Sequence, residues 1–129
     1  MNASLALFGR IGLSLIFIIS GWGKIAAYAG TQQYMESAGL PGALLPLVIA
    51  LELGGGLAIL TGAFTRWIAL AMAAFSLVSA MVFHAHFDDA AQAINFWKNV
   101  AMAGGFLMVA AHGAGAFSLD HLWNKRRNA

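Results

Sequence analysis

One acid stands inside the most apolar stretch of the chain. Leu47 to Gly62 reads LVIALELGGGLAILTG, and Glu52 is its one ionisable residue. A carboxylate in so hydrophobic a segment is costly, is turned toward protein or a wet cavity, and by default marks function. Further groups able to hydrogen-bond or exchange protons are Lys24, His84, His86, Lys98 and Asn99, with Arg10 and His112 set apart from them along the sequence. Quinone or quinol binding is the chemistry that uses such a set. That ligand needs an apolar slot for its tail and a titratable or hydrogen-bonding group at each ring oxygen. Glu52 and His84 would exchange protons, while Lys24, Lys98 and Asn99 would position the headgroup.

The elements that must place these residues are membrane spans. The chain has 129 residues, 60% hydrophobic and 9% charged, with a mean hydropathy of +0.76. Soluble domains average roughly 45–50% apolar and about 25% charged. About 20 apolar residues cross a bilayer, and the pattern predicts an all-α, integral membrane four-helix bundle. It forms one domain over residues 1–129, with spans near 5–25, 44–63, 67–87 and 96–117. In the first span Arg10, Ser14, Phe17, Gly21 and Lys24 fall on one face at helical spacing and should look inward. Gly54, Gly55 and Gly56 would admit a neighbouring helix closely. Between the first two spans, Thr31 is a candidate cap for a short helix that Gly39 would end ahead of Pro41. The stretch Gln32 to Glu36 is amphipathic enough to lie at the interface.

At ~1.5 Å of rise per residue, Glu52 lies near mid-membrane, on the side of its span that leads to the first loop. Lys24, His84, His86, Lys98 and Asn99 gather at one level near the span ends on that side, and Arg10 and His112 lie nearer the other. Arg66 and the run Lys125-Arg126-Arg127 share the side of both termini, while Glu36, Asp88 and Asp89 occupy the opposite loops. Lys/Arg excess marks the cytoplasmic side, so both termini should be cytoplasmic. Trp22, Trp67, Trp97 and Trp123 all fall near span ends, as an aromatic belt requires.

Structural readings of the same residues stay open. Lys24 and Lys98 would simply snorkel to the interface, and Arg10 would pair with Glu52 or a histidine as a buried charge pair. Other chemistries are poorly served. Without cysteine there is no thiol catalysis, iron–sulfur cluster or thiolate zinc site. His84 and His86, two apart, point to nearly opposite sides of a helix, and His112 lies at another depth, so neither metal nor haem is expected. No P-loop, GxSxG or HExxH pattern occurs. The basic tail reads as a topology signal, and nucleic acid is not an expected partner.

The order of these pieces resembles the DoxX family of small bacterial membrane proteins. The resemblance is carried by Arg10 with Gly21-Trp22-Gly23-Lys24, and by Glu52-Leu53-Gly54-Gly55-Gly56 with Gly62 and Thr65-Arg66. Phe83-His84 and Lys98-Asn99 with Gly104-Gly105 follow, and Gly113-Ala114-Gly115 with Ser118-Leu119-Asp120 closes it. It implies a multi-pass protein of the bacterial inner membrane, with Arg10, Lys24, Glu52, His84, Lys98 and Asn99 as functional positions. It also implies, for some members, a place in quinone-linked oxidoreductases such as thiosulfate:quinone oxidoreductase or in redox-stress complexes. The expected partners are the lipid bilayer, a redox protein that supplies electrons, and further copies of the chain through its glycine-rich faces. The alternatives are a scaffold that anchors a redox complex without binding quinone, and a small transporter with Glu52 in its path.

Overall fold

Apolar runs of about 20 residues, broken by short polar turns, fold here into helices alone. The computed structural model describes residues 2–129, and among them there is no strand. Helix α1 spans Ala3–Ala26 and leads directly into a short α2, Tyr28–Ser37. Helix α3 runs from Gly42 to Thr61, α4 from Thr65 to Phe83, α5 from Ala90 to His112 and α6 from Leu119 to Arg127. The helices α1, α3 and α4 are long and apolar enough to cross a membrane. The fourth long helix, α5, has 23 residues, about 34 Å at the standard rise, and carries Gln92, Asn95, Lys98 and Asn99 in its first half. The architecture is a four-helix membrane bundle. Its outer face is apolar, with Leu5, Ile19, Trp67 and Met81 each more than two-thirds exposed, which suits lipid rather than water.

The inward face of α1 is Arg10, Ser14, Phe17 and Gly21, as the helical spacing predicts. The core joins Phe17 to Ile59 of α3, to Ala69, Met72 and Ala73 of α4, and to Ala103 and Phe106 of α5. The rings of Phe17 and Phe106 lie 5.5 Å apart. Small residues set the helix spacing. A Cβ on Gly56 would meet Ile18 Cγ1 at 2.8 Å and a Cβ on Gly21 would meet the Leu53 backbone nitrogen at 2.9 Å, so α1 and α3 touch almost backbone to backbone. Gly55 faces Met72 of α4, while Gly54 meets nothing.

Several boundaries differ from the sequence expectation, each for a local reason. The third span, expected to 87, ends at Phe83, where the His84 N–H closes on Ala80 O at 3.0 Å. Helix α2 starts at Tyr28, so Thr31 lies inside it, its hydroxyl donating to Ala27 O at 2.8 Å. Gly39, at φ +86°, does end that helix, with Leu40 N–H reaching Met35 O in the manner of a glycine-terminated helix. Helix α5 starts six residues before 96, because Asp89 caps it by accepting from Ala91 N–H at 2.9 Å. Its far end stops at His112, where Gly113 and Gly115 take φ of +80° and +87°.

The end of the bundle that holds both termini is locked by side chains bonded to backbone. Gly62, at φ +74°, terminates α3, and Ala63 N–H reaches back to Ala58 O at 2.8 Å. The last carbonyls of a helix lack partners within it. Arg10, 1% exposed, supplies them: Nη1 donates to Ile59 O and to Leu60 O at 3.0 Å each, and Nη2 donates to Phe117 O. Asp120 does the complementary work on α4. Its two carboxylate oxygens accept from Phe64 N–H at 2.7 Å and Thr65 N–H at 2.9 Å, at the helix end that favours negative charge. Hydrogen bonds to a charged group contribute about 1.5–3 kcal/mol each. Arg10→Ala should therefore lower the unfolding free energy by roughly 3 kcal/mol or more, with Arg10→Lys recovering part of it. Thermal unfolding in detergent followed by circular dichroism measures this, and a loss below about 1 kcal/mol would contradict the clamp.

Candidate functional site

Glu52 sits in a single turn of π-helix, Ala50–Gly54, within α3. Such wide turns are rare and frequent at functional sites. The turn directs Glu52 toward α1 while Gly55 and Gly56, one step on, pack against α4 and α1. Since α1 and α3 run antiparallel with Gly21 against Leu53, the residue one turn beyond Gly21 meets the residue before Leu53. Lys24 Nζ lies 3.0 Å from Glu52 Oε2 and also donates to Ser20 Oγ at 2.7 Å. The Glu52 side chain is 6% exposed and that of Lys24 25%. This is the one salt bridge among the described residues.

The pair opens onto a cavity of about 480 Å³. Its polar wall also carries Ser20, Thr31, Ser79, His84 and Asn99, and much of the rest is apolar, including Leu44, Leu47, Val48, Val78 and Val82. His84 caps the end of α4 and its Nδ1 stands 2.6 Å from Gln92 Oε1 on α5. Tyr34 of α2 also lines the cavity, stacked on Phe83 with centroids 5.2 Å apart and 18° between the planes. Ser76 lines the cavity, yet its hydroxyl is bonded to Met72 O at 2.8 Å within its own helix.

The residues singled out in the sequence thus divide. Lys24, Glu52, His84 and Asn99 line one cavity. Lys98 is exposed on the outside of α5, His86 is exposed at a separate hollow beside Tyr34 and Ser37, and His112 is exposed at the far end. Arg10 does not pair with Glu52. It lies about 21 Å along α1 from Lys24, at the end where α3 stops, and its donors go to carbonyls. In the sequence reading Tyr34 and Gln92 lie outside the site, and Thr31 is only a helix cap. For Tyr34 a signal is present, since the amphipathic Gln32–Glu36 stretch places it at the interface. Gln92 had none, because its partnership with His84 depends on where α5 begins. Among the described residues no three His, Asp or Glu side chains converge on one point.

A small helical membrane protein with a buried ion pair facing a largely apolar cavity is the class these features define. The chain belongs to the DoxX family, whose model matches residues 5–85. It is 53% identical over 120 residues to the protein named inner membrane protein YqjF of Escherichia coli (strain K12), covering 93% of this chain and 92% of that one. It is 42% identical over 123 residues to inner membrane protein YphA of the same organism, covering 90% and 88%. No solved structure matches the chain.

The ion pair makes a separable energetic prediction. Removing one partner leaves a charge in a poorly solvated wall, which costs about 3–5 kcal/mol when burial is complete and about 0–1 when the pair is exposed. With Lys24 partly open to the cavity, Lys24→Met should cost roughly 1–3 kcal/mol. Lys24→Met with Glu52→Gln should cost less than the sum of the singles. Unfolding of all three variants in detergent gives the coupling, and strict additivity would show that the two groups do not depend on each other.

Proposed function

We propose that this protein is an inner-membrane subunit that holds a quinone or quinol headgroup in the cavity beside Lys24 and Glu52 and serves a redox partner. The observation that carries the reading is the ion pair's position in the wall of a mostly apolar cavity. Leu44, Leu47 and Val78 belong both to that lining and to the exposed surface of the bundle. An isoprenoid tail could therefore lie along them toward lipid while the ring reaches the polar wall. A volume of about 480 Å³ is in the range of small-molecule sites.

The chemistry follows from the donor set. Glu52 accepts a proton from a ring hydroxyl, and His84 offers a second exchange site on the same cavity. Lys24 and Asn99 donate hydrogen bonds to ring oxygens. As the carboxylate gains a proton, Lys24 keeps Ser20 as a partner, so the ammonium is not stranded. Electrons leave to or arrive from a partner protein. The relatives' names support the inner membrane as its location. Arg66 and Lys125 to Arg127 lie at the end that holds the termini, and Glu36, Asp88 and Asp89 at the other. The termini then face the cytoplasm and the cavity mouth faces outward.

Mass spectrometry of quinones extracted from protein purified in mild detergent tests this. Wild type should carry near-stoichiometric quinone, and folded Glu52→Gln should lose most of it. Equal background amounts in both would mean that the pair serves only to fasten α1 to α3.

A further inference from the structure

The bundle end opposite that cavity has a second, larger hollow of about 730 Å³, between the α3–α4 turn, the α5–α6 turn and α6. Arg66 and Arg127 line it, together with His112, His121, Trp67 and Trp123. Neither guanidinium has a carboxylate within salt-bridge distance among the described residues, and Arg127 makes a single hydrogen bond, to Asn124 Oδ1 at 3.2 Å. One acid, Asp120, also borders the hollow. Its oxygens accept from the Phe64 and Thr65 N–H groups, and it forms no salt bridge with either arginine. Arg66 is positioned: a Cβ on Gly113 would stand 3.2 Å from Arg66 Nε, and Gly113 holds φ +80° there. The guanidinium lies across a strip of backbone that only glycine leaves open. Trp67 is 77% exposed and Trp123 40% exposed, at the level where indoles sit among headgroups.

Unpaired guanidinia recognise phosphate oxygens with two parallel hydrogen bonds, and basic pockets on the cytoplasmic side of membrane helices take anionic headgroups. We infer that this hollow is a binding site for the phosphate of an anionic phospholipid, with Arg66 and Arg127 as the phosphate ligands and Trp67 and Trp123 against the glycerol and upper acyl chain. The site is independent of the quinone reading, being built from other residues at the other end of the bundle.

Native mass spectrometry of the full-length protein, titrated with phosphatidylglycerol or phosphatidylcholine in detergent, tests it. Wild type should retain phosphatidylglycerol in preference to phosphatidylcholine. Arg66→Gln with Arg127→Gln should reduce that retention about tenfold. The pair Lys125→Gln with Arg126→Gln removes the same charge from the same surface but outside the hollow, and should change it by less than about twofold. Circular dichroism checks that each variant is folded, and Arg127→Gln alone, on an exposed terminal helix, should still reduce retention if the double variant is not. Undiminished retention in the hollow variants overturns the site. So does an equal fall in the Lys125 and Arg126 variant, which would mean diffuse attraction by a basic surface. Displacement of the lipid by millimolar inorganic phosphate would assign the site to free phosphate and overturn the lipid as its occupant.

Discussion

An ionised carboxylate in the middle of an apolar bundle needs a partner that offsets its lost hydration. An unpaired ion in such surroundings costs several kcal/mol even after relaxation. Here Lys24 reaches Glu52 at 3.0 Å, and much of the packing between α1 and α3 is arranged so that it can. Gly21 and Gly56 remove the two side chains that would hold the backbones apart. The π turn at Ala50–Gly54 lets Glu52 face α1 without turning the following glycines away from their neighbours. The pair is therefore a condition of the fold as well as a feature of its cavity, which is why stability and ligand retention must be measured separately.

Running four helices up and down divides the polar residues between two ends with different tasks. At the end holding the termini, Arg10 and Asp120 close helix termini with backbone hydrogen bonds, one serving carbonyls of α3 and the other N–H groups of α4. At the other, Lys24, Glu52, His84 and Asn99 surround open space. Both sets place charge in an apolar setting, but in the first both Nη groups of Arg10 and both oxygens of Asp120 are bonded to backbone, and the second retains groups facing a cavity. That contrast, rather than the presence of charge alone, separates architecture from a candidate site.

Much of this was legible in the chain. The inward face of α1 follows from the spacing of Arg10, Ser14, Phe17 and Gly21, and α1, α3 and α4 follow from apolar runs of span length. The common level of Lys24, His84 and Asn99 follows from depth, whereas Glu52, placed nearer mid-membrane, joins them because the Lys24 side chain reaches it across the α1–α3 contact. Depth does not say which side of a helix a residue faces, so Lys98 was grouped with Asn99 although the two point in different directions. Nor does it identify partners. Arg10 and Glu52 are both ionisable and within spans, which suggests a pair, but the carbonyls at the end of α3 take Arg10: Leu60 O, and Ile59 O, whose other donor is the Gly62 N–H at 3.3 Å. Their demand for donors arises because Gly62 ends α3.

The central claim is that the Lys24–Glu52 pair faces a ligand and does not merely join two helices. An experimental structure of the protein in lipid with a short-chain quinone tests it most directly. The account predicts a ring oxygen within hydrogen-bonding distance of Glu52 or Lys24, with the tail passing Leu47 and Val78 toward lipid. A cavity without ligand density at saturating quinone, with the ion pair closed on itself, would contradict it.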